Sequence, residues 1–384
     1  MGAKELSKEE VAKLPTLLDI VNHYLEGEQR IEQQHESGPF KGLFPTQAYK
    51  GMFEPMRMED GTHILMPLSP AQHSYYRGEN SYHEDCRPSL YRKGMTDADI
   101  FVERIKRCEM ELMMQQYPIT DLFANTIHAQ APDKTWIPIP FRIGYDGMAQ
   151  HYGIKTEFMD ITLDPWTAAF FAATKYDDAT DTYSVIEDTD EYQYGAFYLR
   201  NEIPLPNPSL SRIDVVGMQP LSRPGRQSAY VFRMNQGENF NTMAQKDFFR
   251  HDADVNRTIF EHANSGNQLF PKELIGERIR EEIVKGDEFS RKAFTLAQQR
   301  YFPATSEEEL QRYLTDKHIS INLTDKQWFN DAEKKVAIEY WETYQQELFS
   351  KIHLRWSYRG PIEFVDGKEF VKLVENGDNN TNQE

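Results

Sequence analysis

The chain has only two cysteines, Cys86 and Cys108, among 384 residues. Two thiols cannot build a disulfide framework, and these lack the spacing of zinc ligands. A reducing compartment is expected. Long apolar runs are also missing: nothing approaches the roughly 20 residues that span a bilayer, and no signal-peptide core follows Met1. Leu6 stands where a myristoylation signal wants Ser or Thr. The expected location is the cytoplasm, with no membrane partner.

Positive charge is scarce. Lys and Arg number 43 against 61 Asp and Glu, a net charge of −18. Such a surface repels a polyphosphate, because non-specific nucleic-acid affinity comes from Lys and Arg displacing counterions. A nucleic-acid-processing role is disfavoured. The phosphate-cradling Gly-rich loop, the dinucleotide GxGxxG and the His-Glu-x-x-His zinc helix are all absent, as is the nucleophile elbow. These gaps exclude the P-loop, Rossmann, zincin and α/β-hydrolase readings. Aromatics, in contrast, are plentiful, with 23 Phe, 20 Tyr and 5 Trp. Disordered chains are poor in them, so this chain is globular, and its length suggests two domains or one with appendages.

Residues 5–35 read as helical, with a Ser7/Glu10 capping box and a break near Pro15. Residues 36–70 read as irregular, with one strand near His63–Met66. A helix is expected from Asp97 to about Tyr117, stopped by Pro118, and a second over 121–130 after Thr120. Pro132, Pro138 and Pro140 mark a loop. Asp146–Tyr152 reads as a short helix closed by Gly153, Thr156–Thr162 as a strand, and Asp164-Pro165 as a capped helix start. That helix carries Trp166, Ala169, Phe170 and Ala173 inward. Further strands are expected at Ala196–Leu199 and Ser228–Phe232, separated from the helix by a surface excursion over Asp177–Tyr194. Trp328, Ala332, Val336, Tyr340, Tyr344, Leu348 and Ile352 trace an amphipathic helix.

Chemistry is sought in arginines and polar groups beside Gly or Pro. Arg77, next to Gly78, is read either as an ion-pair partner of Glu79 or Glu84, or as a planar clamp for an anion. Glycine lets a ligand approach the backbone closely. Arg87 and Arg92 flank Ser89, and Arg212, Arg223, Arg226 and Arg233 surround Gln227 in an otherwise acidic chain. Local basicity there favours a small anionic ligand. His151 is read as a hydrogen-bonded structural histidine or a site residue. Asp160 and Thr162 share a strand face, and Asp160 either braces the next helix or serves the site.

Tyr76-Arg77-Gly78 followed by Arg87-Pro88-Ser89-Leu90-Tyr91-Arg92 resembles the opening of the FRG domain, named for its Phe/Tyr-Arg-Gly motif. Gln150-His151-Tyr152-Gly153-Ile154-Lys155-Thr156, then Asp160-Ile161-Thr162, then Pro165 to Ala172 is similar to that family's central block. Arg226-Gln227-Ser228-Ala229 and Leu269-Phe270-Pro271 are similar to its later landmarks. Two departures stand out. Phe158-Met159-Asp160 replaces the usual Leu-Leu-Asp, and Ser228 or Ala229 stands where the family commonly has glycine.

The order of parts also resembles NAD-using ADP-ribosyltransferases, which implies Arg77 as a clamp on the NAD phosphates, Thr162 as a ribose-side contact and Gln227 as the late polar residue. Glutamine cannot act as a base, so such an enzyme relies on positioning and electrostatics, with Glu238 as a substitute acid.

The expected fold is α+β, a twisted and mostly antiparallel sheet with flanking helices and a helical C-terminal region. The expected segments are an N-terminal lead-in over 1–59, the FRG domain over 60–290, helices over 291–375 as a separable element, and a disordered tail over 376–384. Gln227, His151 and Asp160 are the candidate catalytic residues. Arg77, Gly78, Ser89, Arg92, Tyr152, Thr162 and Arg226 are the candidate ligand contacts. NAD is the candidate substrate, with no metal. The alternative function is a non-catalytic sensor or regulatory module for an anionic or nucleotide-like ligand, which uses the C-terminal helices to contact a protein partner.

Overall fold

The computed structural model describes residues 6–37, 52–67, 73–130, 134–202, 211–217, 219–355, 364–366 and 371–373. The expected tail over 376–384 lies outside them. A short helix, Lys8–Ala12, opens with the Ser7/Glu10 capping box. The principal elements then follow as α1 (Leu17–Ser37), β1 (His73–Glu79), α2 (Asp97–Gln115), α3 (Tyr145–His151), β2 (Phe158–Thr162), α4 (Pro165–Ala173) and β3 (Tyr194–Glu202). Next come β4 (Ile213–Val215), α5 (Ser222–Arg226), β5 (Ala229–Arg233), β6 (Gln245–Arg250) and α6 (Ala253–His262). The C-terminal helices are α7 (Arg291–Tyr301), α8 (Glu307–Asp316) and α9 (Asp331–Phe349).

The six strands form one sheet in the order β4-β5-β2-β1-β3-β6, and every neighbouring pair is antiparallel. The expected α+β class is what the chain adopts. Side chains alternate between the two faces along a strand, and here each face has its own core. Tyr75, Ala196 and Tyr198 face the larger core, whereas Tyr76 and Phe197 face a smaller one with Leu17 and Val21 of α1, Ala168 and Ala172 of α4, and Ile259 of α6. The small residues of α4 let it lie almost on the sheet. A Cβ at Gly78 would stand 1.9 Å from the Ala168 carbonyl oxygen and 2.8 Å from the Ala172 methyl.

Several local expectations need correction. The helix expected over 121–130 is Pro118–Asn125, because Pro118 takes the first helical position. The segment Ile127–Gln130 is instead a strand, paired with Trp136–Pro138 in what was expected to be loop. His63–Pro67 is a strand as expected, but it pairs with Phe53–Arg57 in the supposedly irregular stretch. The excursion after Asp177 contains Thr182–Val185, paired with Thr174–Asp177 as a hairpin. Trp166 is only half-buried and stacks on His262 at 4.0 Å.

The region after residue 290 is helical, and its expected inward stripe is buried in part: Trp328, Tyr344, Leu348 and Ile352 join the core, Tyr340 is half-buried, and Ala332 and Val336 are exposed. The core they join is the one beneath the sheet, which the expected separability did not foresee. Phe294 of α7 meets Phe101 of α2 edge-on at 5.5 Å, and Tyr344 of α9 donates to the Gln219 carbonyl at 3.1 Å. Trp341, Leu310 and Leu314 belong to the same cluster.

Two outcomes follow from this packing. Gly78→Ala is expected to lower stability by about 3 kcal/mol or more, at the upper end of overpacking costs, read as a drop in the urea midpoint. A chain ended at residue 290 is expected to remain unfolded by near-ultraviolet circular dichroism, since Phe101 and its neighbours lose their cover. A cooperative transition in the shortened chain would restore the separable reading.

Candidate functional site

A cleft of about 470 Å³ opens where the end of β1, the C-terminal ends of α3 and β2, and the turn before β5 come together. Arg77, Gly78, Arg92, His151, Asp160, Thr162 and Gln227 line it, and Phe171, Tyr176, Tyr183 and Phe270 supply aromatic surface. The sheet register explains the convergence. Thr162 pairs with Ala229 on one side and with Tyr76 on the other. The residue after Tyr76 and the residue two before Ala229 therefore both arrive beside the end of β2.

Gln227 is fixed at both ends of its amide. Its Nε2 donates to the Leu269 carbonyl at 3.1 Å, so its Oε1 faces His151 Nδ1 at 3.0 Å and must accept. Nδ1 then carries the hydrogen, and Nε2 of the neutral ring is left with a lone pair. That nitrogen is buried without a partner and faces Asp160 Oδ1, also unpartnered, at 3.7 Å. Burial lowers the His151 pKa, which the Asp160 carboxylate and the Gln227 bond only partly offset.

Asp160 is held from the far side. Thr156 Oγ1 donates to Gln150 Oε1, which turns Gln150 Nε2 towards Asp160 Oδ2 at 3.0 Å. Gln150 and His151 thus act from adjacent positions, just before Gly153 at φ +87° ends the turn. Ser228, immediately after Gln227, adopts φ +45°. This left-handed region favours glycine, and Ser228 is one of the two positions, with Ala229, where the FRG resemblance implies one.

Arg77 is less free than a clamp requires. Its Nε and Nη2 donate to Glu79 Oε1 at 3.1 and 3.0 Å, and its Nη1 donates to the Asp160 carbonyl at 3.0 Å. Burial opposes its charge, but Glu79 above all, with Asp160, more than compensates and keeps it protonated. The Cys86 thiol, pushed up to about 12 first by burial and then by Glu79, donates to the same Glu79 oxygen at 3.3 Å. Glu79 Oε2 is buried and unpartnered. Thr162 Oγ1 donates to the Gln227 carbonyl at 2.8 Å and accepts from Asp164 N–H at 3.0 Å. Arg92 is exposed at the cleft.

Three candidates stand elsewhere. One residue beyond His151 the chain turns away from the cleft: the Tyr152 hydroxyl donates to buried Glu273 at 2.5 Å. Arg226 is exposed and pairs with Glu347 of α9 at 3.1 Å. Ser89 lies in a 3-10 turn outside the lining residues. The expected basic group around Gln227 is dispersed as well. Arg212 pairs with Glu238 and Arg233 with Asp214, both at 2.8 Å. Arg223 covers the Tyr152 ring at 4.8 Å and donates to the His151 carbonyl at 3.2 Å. Glu238, bound to Arg212, does not line the cleft. Sequence reasoning offered Glu79 as an ion-pair partner of Arg77, which the structure bears out, but missed the supporting role of Gln150 and the aromatic wall. Glu79 was legible as a partner of Arg77, two residues along one strand face, and Tyr183 gave no signal within an acidic excursion. Among the described residues no group of His, Cys, Asp and Glu is arranged to hold a metal ion, and no helix is long and apolar enough to cross a membrane.

The lowered pKa of His151 has a definite linkage sign. The unfolded ring titrates near 6.5, above the folded ring, so unfolding takes up a proton between the two values. This contribution is full above about pH 6.5 and is lost as pH falls towards the folded pKa. Urea unfolding of wild type is expected to weaken over that window. His151→Gln should flatten the pH slope by up to about 1.4 kcal/mol per pH unit, the limit for one proton. Identical slopes would mean that His151 titrates normally in the fold.

Residues 72–181 match the FRG domain. The span contains Arg77, Gly78, Gln150, His151, Asp160 and Thr162, while Gln227 and Phe270 reach the cleft from beyond it and the Leu269 carbonyl anchors Gln227. Comparison with curated proteins and with solved structures gives no match. With its Tyr76-Arg77-Gly78 motif at the cleft, the chain carries an FRG domain.

Proposed function

We propose that the cleft binds a nucleotide-like ligand, that NAD is its candidate substrate, and that the reaction is transfer of ADP-ribose or hydrolysis of the glycosidic bond. The observation that carries this reading is the pair His151 Nε2 and Asp160 Oδ1, buried, unpartnered and held 3.7 Å apart from both sides. A neutral imidazole at the cleft lining, with its lone pair facing a carboxylate and no hydrogen bond made to it, is suited to accept a proton at neutral pH. In the proposed step the C–N bond to nicotinamide breaks and its electron pair leaves with the nicotinamide. An oxygen of water or of an acceptor forms the new bond to the ribose carbon, and its proton passes to His151 Nε2. The Asp160 carboxylate stabilises the positive charge that develops on the sugar and then on the imidazolium. Gln227 takes no proton; it fixes the tautomer. The aromatic wall of Tyr183 and Phe270, whose rings stack at 4.7 Å, offers a face for a planar base.

One observation favours the alternative, a non-catalytic regulatory module. The Arg77 guanidinium is already engaged by Glu79 and the Asp160 carbonyl, as in a structural network. On that reading, exposed Val336 and Ile338 of α9 remain as surface for a protein partner.

Incubation of the full chain with NAD and candidate acceptors separates the two. Released nicotinamide is expected, and His151→Ala is expected to slow it by about 100-fold or more, the lower range for loss of a general base. NAD binding without release would favour the regulatory module. Release unaffected by His151→Ala would remove the catalytic reading.

A further inference from the structure

Among the described residues, the buried side-chain polar atoms left without partners at the cleft are all acceptors. They are His151 Nε2, Asp160 Oδ1 and Glu79 Oε2, and the His151 side chain is 5% exposed. Buried polar groups are nearly always hydrogen-bonded, and an orphaned one costs about 1–3 kcal/mol. A ligand that belongs here must therefore bring donors.

A phosphate brings only acceptors and negative charge, and would face the Asp160 carboxylate and a nitrogen lone pair. A cationic head is opposed as well. The Arg77 guanidinium donates to the Asp160 carbonyl at 3.0 Å, and that of Arg223 donates to the His151 carbonyl at 3.2 Å. What remains is a neutral donor group, and hydroxyls fit. Two neighbouring hydroxyls can each serve one of the facing acceptors, while the exposed Arg92 is available to phosphate oxygens at the rim.

We infer that the deep end of the cleft receives the sugar hydroxyls of the ligand at His151 and Asp160, with its phosphates left to the mouth. This rests on the nucleotide reading above and names which part of the ligand enters first. Arg77 then acts as a strut: it ties Glu79 of β1 to the backbone of β2, and it is not the phosphate clamp that the transferase resemblance implied.

Asp160→Asn tests the arrangement directly. Gln150 Nε2 donates to Oδ2 at 3.0 Å, so an asparagine turns its oxygen to Gln150 and its NH₂ towards His151. That NH₂ donates to Nε2 and removes both free acceptors without changing volume. The experiment titrates the full chain with ADP-ribose and, separately, with inorganic pyrophosphate, following heat and the His151 ring resonances. ADP-ribose is expected to move those resonances, while pyrophosphate leaves them in place. Asp160→Asn should weaken ADP-ribose by about tenfold to a hundredfold, the range for hydrogen bonds to a charged group. If pyrophosphate moves the His151 ring as ADP-ribose does, or ADP-ribose binds without moving it, the inference is overturned while the nucleotide reading stands. If ADP-ribose does not bind wild type at all, both fall together.

Discussion

The side-chain amide of Gln227 has one donor end and one acceptor end facing protein, and the Leu269 carbonyl takes the donor. The tautomer of His151 follows from that single bond. With the amide so oriented, His151 must present N–H at Nδ1 and a lone pair at Nε2. Across the gap, the Thr156–Gln150 pair orients Asp160 by the same logic. The two amides, reaching in from opposite sides, leave two acceptors facing each other. Among the described residues, no hydroxyl of the protein reaches either atom to relieve this. The resulting unmet demand for a donor is the most informative feature of the site.

The sheet makes this geometry possible by serving two cores at once. Tyr75 and Tyr76 point to opposite faces, so Arg77 returns to the face of the larger core and Gly78 to the face that carries α4. Only a residue without a side chain lets α4 approach so closely. The Tyr-Arg-Gly motif therefore reads as three packing instructions in sequence: an aromatic for the smaller core, a buried guanidinium bracing β2, and a gap for a helix. Its arginine is explained by Glu79 and the Asp160 carbonyl before any ligand is considered.

Much of this was legible in the sequence where local chemistry decides the outcome. The Asp164-Pro165 start is used as written, with Asp164 accepting from Trp166 and Thr167 N–H at 3.1 and 3.0 Å, and the Ser7/Glu10 box caps its helix. Arg77, His151, Asp160, Thr162 and Gln227 were nominated from motif order, and they line one cleft. What was not legible depends on register between distant strands. The arginines near Gln227 looked like a basic patch because sequence proximity was taken for spatial proximity. On an extended strand and its flanking turn they point to different partners, Asp214, Glu238 and Glu347. Tyr152 was nominated with the Gln150-His151-Tyr152-Gly153 block, but it follows the last residue of α3 and its hydroxyl goes to Glu273.

The C-terminal helices bear on the same site through a buried relay. Tyr340 of α9 shares a hydrogen bond with Ser222 Oγ, Ser222 also donates to Glu273, and Glu273 accepts from Tyr152, which follows His151 in the chain. Arg223 closes the loop by stacking on Tyr152 while donating to the His151 carbonyl. A carboxylate as buried as Glu273 is tolerable only when such donors surround it. The helices beyond the matched span therefore shield the network that holds the backbone of His151. The FRG segment supplies most of the residues that line the cleft, and the rest of the chain adds Tyr183, Gln227, Ala229 and Phe270 to them.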